Sequence, residues 1–185
     1  MLGPPPSAVL LQDFTNTLDI HLGTDAVPTP AALAAWLAGR GLLPSGSRIT
    51  AAQHAAYLTA RAGLRELLGL RTAGDADPEV TAAAQRVLDG LPLLVRLDGR
   101  PVLTPAPGLA PGLRPLAVLA AAWGELVTTG DAVRLKRCAE TTCGEVFWDV
   151  SKNRSRRWCS MSVCGNRAKA RRHATRRAPG GREPA

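Results

Sequence analysis

All four cysteines of the chain lie between Cys138 and Cys164, in the order Cys138-x4-Cys143-x15-Cys159-x4-Cys164. Two close pairs joined by a short connector are what a tetrahedral ion needs. Each pair offers two thiolates from one local turn, and the connector brings the pairs together. Four thiolates suit Zn²⁺ in a closed, structural site, with no ligand position left for water. Cys138, Cys143, Cys159 and Cys164 are therefore the candidate ligands of one structural zinc ion. A pair of disulfides is the alternative, disfavoured because nothing marks the chain as secreted. An iron–sulfur cluster is the other, and the spacing is not ferredoxin-like.

The second pair runs straight into "CGNRAKARRHATRR". This stretch reads as a helix whose first turn the last two cysteines fix. Arg167/Arg171 and Arg172/Arg176 are like charges four apart, so the helix would be poorly stable alone. A metal anchoring one end and a polyanion neutralising the rest resolve that conflict. The candidate nucleic-acid contacts are Arg154, Arg156, Arg157, Asn166, Arg167, Lys169, Arg171, Arg172 and Arg176, with the helix expected in the major groove of DNA. A solvated charged tail is the plainer alternative. Some of the positive charge would also simply balance the net negative charge of a Zn(Cys)4 centre.

The elements that position these groups follow. "EVFWDV" places Val146, Trp148 and Val150 on one side and Phe147 and Asp149 on the other. "SKNRS" is expected to turn and "RRWC" to return, making a hairpin between the cysteine pairs. Knuckle, hairpin and helix together suggest a treble-clef-like module over residues 134–178. So few residues cannot bury a core alone, and metal binding must supply much of the folding energy. Phe147, Trp148 and Trp158 are expected to cover the metal, with base stacking by Trp148 left open.

Ahead of the module, residues 1–133 read as a helical region. Leu11, Phe14 and Leu18 form a helical stripe running to Gly23, and Asn16 is expected to be a buried anchor or to line a pocket. Thr29-Pro30 opens a second helix. Thr50 and Gln53 form a capping box opening a third, with Ala55, Leu58, Ala62, Leu67 and Leu68 near one face. Asp77-Pro78 opens a fourth. Alternation around Asp98-Gly99 predicts a hairpin near 93–104. A very apolar helix then ends near Gly130, and Trp36 and Trp123 are the bulky core candidates. Asp13 and Asp19 read as cap or surface groups, His21 and His54 are isolated, and residues 179–185 are expected to be disordered. The expected fold class is mainly α with a small β-hairpin: a helical region followed by a four-cysteine zinc finger.

The net charge of +8 is uneven. From Arg134 onward 14 Lys/Arg stand against 4 Asp/Glu, whereas before it 9 stand against 11. Such asymmetry points to a polyanion partner. There is no apolar run long enough to span a membrane and no basic leader with an apolar stretch. A cytoplasmic, nucleoid-associated protein is expected. The front region shows no nucleophile–base pair and no phosphate loop, so an enzyme is not expected.

"SRRWCSMSVCGNRAKARRH" resembles the signature of the CGNR zinc finger, named for Cys164-Gly165-Asn166-Arg167. The front region, through "DFTNTLD", "LAAWLAGRGLL" and the hairpin before the finger, resembles the ABATE-type domain, with "DFTNT" standing where that family usually has "DFVNT". The resemblance implies zinc on the four cysteines, DNA binding by the finger, and a stress-induced bacterial transcription regulator. Sensing of a small-molecule effector or homodimerisation would fall to the front region. An RNA- or ribosome-associated module, and a protein-interaction or sensor protein with a solubilising basic tail, remain alternatives.

Overall fold

Pro6 opens α1 (Pro6–Thr15) at the helix position where a missing N–H costs nothing. In the computed structural model, which describes residues 3–74, 76–97 and 102–177, this helix stops earlier than its apolar stripe suggests. The Thr15 and Thr17 hydroxyls donate to the Leu11 and Phe14 carbonyls, each at 2.7 Å. A Thr-Asn-Thr run with local hydrogen bonds of this kind competes with further helix. Leu18 therefore falls not on α1 but on a short strand, β1 (Leu18–Asp19), paired antiparallel with β2 (Thr24–Asp25).

The helix starts follow their caps. The Thr29 hydroxyl accepts from Ala32 N and Pro30 leads α2 (Pro30–Gly39). The Thr50–Gln53 box is complete in both directions at the start of α3 (Ala51–Gly69). Asp77 accepts from the Glu79 and Val80 amides at the start of α4 (Pro78–Asp89). α3 and α4 touch closely at Gly63, where an added Cβ would come within 2.1 Å of the Ala84 Cβ. Only a residue without a side chain allows that approach.

The face that α3 buries differs from the apolar pattern. Ala55 and Ala62 are exposed, and the inward row is His54, Tyr57, Arg61, Arg65 and Leu68. These positions are three and four apart, as one helix face requires. Most are polar, which is why an apolar pattern picks the wrong stripe. Each is satisfied. His54 Nε2 meets Val27 O at 2.9 Å, Tyr57 donates to Gly112 O, and Arg61 grips both Asp25 oxygens at 2.6 and 2.8 Å.

The Arg61 hydrogen bonds hold the Asp25 carboxyl below its ordinary value. A depressed carboxyl contributes stability that is fully present above the unfolded value near 3.9 and is lost as pH falls through the folded one. We expect Asp25→Asn to destabilise the chain at pH 7 and to differ less from the natural sequence at pH 3. Urea unfolding at the two pH values measures this.

β3 (Leu93–Val95) and β4 (Leu103–Pro105) form the expected hairpin, in the register Leu94 opposite Thr104. Its Asp98-Gly99 turn lies outside the described residues, as do residues 178–185. α5 (Arg114–Thr128) carries Leu116, Leu119 and Leu126 into the core, and Gly130, at φ 77°, turns the chain. Next come β5 (Leu135–Arg137), β6 (Val146–Trp148) and the terminal helix α6 (Asn166–Arg177).

One core spans both halves of the chain. Phe14, Leu33, Leu37, Tyr57, Leu68 and Leu119 share it with Leu135, Val146 and Trp148 from the cysteine-rich segment. Trp36 and Trp123 pack against its edge. Among the described residues, no helix is long and apolar enough to cross a membrane.

Candidate metal centre

β5 and β6 pair antiparallel, with Lys136 opposite Phe147. The sheet has two faces. Leu135, Val146 and Trp148 enter the main core, while Phe147 packs with Cys138, Cys164 and Trp158. The first cysteine pair thus lies in the loop between β5 and β6, and the expected hairpin of "EVFWDV" with "RRWC" does not form. The backbone of that return segment is engaged elsewhere. Arg156 N donates to Asp149 Oδ2, and Arg157 O accepts from Ala139 N. Trp148, expected over the metal, faces the front region instead and is buried there.

The loop is a knuckle. Cys138 N donates to Glu145 O, and Cys143 and Gly144 N both donate to Glu140 O. Gly144 has φ 60°, and a Cβ there would meet Ile20 Cδ1 at 2.6 Å. In the second pair, Cys159 precedes a single wide turn, Met161–Gly165, and Cys164 lies within it; the turn leads into α6. Asn166 donates to Ser162 O at 2.9 Å and steadies that turn.

The four Sγ atoms lie within 4.8 Å of one another. Cys159 Sγ is 3.7 Å from both Cys143 Sγ and Cys164 Sγ. A tetrahedral zinc with bonds of about 2.3 Å spaces its sulfurs about 3.8 Å apart, so the cluster fits that ion. It does not fit disulfides, whose sulfurs are about 2.05 Å apart. Without a metal, burial and the neighbouring sulfurs push the Cys159 and Cys164 thiols well up. The sulfurs then hold protons that zinc must displace, so zinc affinity falls as pH falls.

Buried charges brace the centre. Asp149 accepts from Lys136 Nζ at 2.7 Å, from Ser151 N and Oγ, and from Arg156 N. Lys136 also donates to the Arg154 and Arg156 carbonyls. Its partners hold the Asp149 carboxyl down, at about 2, against the opposing effect of burial. Glu140, fully buried, accepts from Arg171 Nη2 at 2.6 Å and from the Thr142 hydroxyl, and so ties α6 to the knuckle. The spacing of the cysteines carries no sign of these groups. An alternation reading of "EVFWDV" does signal that Asp149 faces inward with Phe147.

The module is also clasped to the front region. Asn16 donates to Val146 O and accepts from Val146 N, both at 2.8 Å, as a strand neighbour would. Arg65 bridges Thr15 O and Gly144 O. Arg137 pairs with Glu66 at 2.6 Å, and Arg157 donates twice to Thr72 O. Asn16→Ala would leave two Val146 backbone groups without their partners. It is expected to cost about 1–3 kcal/mol, read as a lowered denaturation midpoint.

Residues 8–130 match the family model ABATE, described as "Putative stress-induced transcription regulator". The chain belongs to the ABATE family. Residues 134–177 match the CGNR zinc finger, and the clustered cysteines hold one structural zinc ion. No curated protein matches the chain. The two matched segments of this ABATE-family chain meet within the shared core.

The sequence-predicted nucleic-acid contacts divide. Arg157 is engaged with Thr72, Arg156 with Cys159 O and the Phe147 ring, Arg171 with Glu140, and Asn166 with its own turn. Arg154, in a left-handed conformation at φ 53°, offers its carbonyl to Lys136 while its side chain is exposed. Arg167, Lys169 and Arg172 are exposed on α6. The Arg176 side chain lies outside the described residues.

Proposed function

We propose that this zinc-binding chain is a DNA-binding transcription regulator, not an enzyme, acting at the nucleoid in the cytoplasm. The observation that carries the reading is the division of the cations. Arg171 turns one face of α6 toward the buried Glu140. At 100° per residue, Lys169 and His173 then lie on the opposite face and Arg172 on the flank beside it, all three exposed. A zinc-braced helix holding cations away from the body suits the phosphates and base edges of a major groove. The closed sulfur set leaves zinc no position for a reacting water. The family description supports a regulatory role in stress.

The placement of the tryptophans favours DNA over the RNA alternative. Trp148 is buried in the core, and the half-buried Trp158 packs with the cysteines and lies beneath Arg157, which disfavours base stacking. Fluorescence anisotropy with labelled duplex DNA over a salt series tests the proposal. Affinity is expected to fall steeply with salt. Replacing Lys169 and Arg172 with alanine is expected to reduce the log–log slope by about 2, at about 0.9 per phosphate contact. Arg157→Ala, which removes a clasp rather than a contact, should leave the slope unchanged. Binding that ignores salt, or a preference for single-stranded RNA in competition, would overturn the reading.

A further inference from the structure

An open cavity of about 390 Å³ lies between the segment after α1 and the zinc module. Leu18 and Asp19 line it from the front region, and Val163 and Glu145 from the module. Cys143, Cys159 and Cys164 border it, whereas Cys138 does not. Cys143 and Cys159 are only half-buried, whereas Cys138 and Cys164 are buried. Phe147 and Trp158 cover the other side of the cluster. The zinc site is therefore closed toward the hairpin and open toward the cavity.

We propose that Cys143 and Cys159 are an oxidative modification site, reached through this cavity by a small neutral peroxide. Their sulfurs are 3.7 Å apart, near enough to couple after a small approach. One thiolate attacks a peroxide oxygen. An S–O bond forms, the O–O bond breaks, and the departing hydroxide takes a proton to become water. The second thiolate attacks the oxidised sulfur. The S–S bond forms, the S–O bond breaks, and a second hydroxide leaves as water. Two electrons pass from the two sulfurs to peroxide, and zinc, left with two ligands, departs. The product is the same whichever sulfur is attacked first. Arg167 and His21 line the cavity beside the Asp19 and Glu145 carboxylates, so the wall carries both signs of charge.

The zinc-loaded full chain is treated with hydrogen peroxide while a chromophoric chelator reports zinc release. Free thiols are then blocked and the disulfides mapped by tryptic digestion. Cys138 and Cys143 share one tryptic peptide, and Cys159 and Cys164 another. The first disulfide formed is expected to join the two peptides through Cys143 and Cys159, with one zinc released for each bond. Two variants test the route. Val163→Trp and Leu18→Trp fill the cavity from opposite walls, and each is expected to slow zinc release several-fold without lowering zinc content. A first disulfide that uses Cys138, or that joins Cys159 to Cys164, would overturn the proposal. So would unchanged release rates in the zinc-loaded variants.

Discussion

Replacing Cys164 with serine, or stripping the ion with a chelator, is expected to unfold the cysteine-rich segment and to weaken the whole chain. Structural zinc sites carry on the order of 10 kcal/mol of folding free energy, comparable to the whole stability of an ordinary domain. The loss cannot stay local here. Leu135, Val146 and Trp148 belong to the core that also holds Phe14 and Tyr57. If β5 and β6 come apart, those positions lose their cover. Hydrogen exchange at the Val146 amide, which donates to Asn16, reads the coupling directly. Zinc removal should accelerate exchange there and also within α1 and α3. A chelated protein with unchanged exchange and an unchanged denaturation midpoint would show the module to be a passenger on a self-sufficient front region.

Asp149→Ala is the second large effect. The Asp149 side chain is fully buried and that of Lys136 is 5% exposed. Removing the carboxylate strands the ammonium with only carbonyl partners and frees the Ser151 and Arg156 amides. Breaking one side of a buried ion pair typically costs 3–5 kcal/mol, and a loss of about that size is expected. Zinc affinity should fall with it, because Asp149 fixes the chain just before Cys159 through Arg156 N. The double variant Lys136→Met, Asp149→Ala should recover part of the stability, since no charge is then left buried and unpaired. Urea unfolding of the zinc-loaded proteins compares the three. A single variant as stable as the natural sequence would show that the pair is not a brace.

The parts of the fold that local chemistry decides were legible from residue types alone. Thr29, Thr50 and Asp77 cap the helices they precede. The two cysteine pairs converge as their spacing implies. What escaped a pattern reading was the polar interior. Arg61 and Arg65 look like surface residues, yet they form two of the five positions in the buried row of α3, and their partners, Asp25 and Gly144 O, are distant in sequence. The hairpin around the first cysteine pair was misplaced for a related reason. "RRWC" alternates too weakly to choose a strand partner, and Asp149 draws its backbone away from β6. The basic residues show the same limit. Composition marks all of them alike, and all four of Arg157, Lys169, Arg171 and Arg172 are exposed; only the Thr72 and Glu140 partners mark Arg157 and Arg171 as braces of the fold.

X-ray absorption at the zinc edge, with metal content measured on the same sample, tests the central claim most directly. One zinc per chain surrounded by four sulfurs at about 2.3 Å is the predicted result. A content well below one, or a shell in which nitrogen or oxygen replaces sulfur, would contradict it.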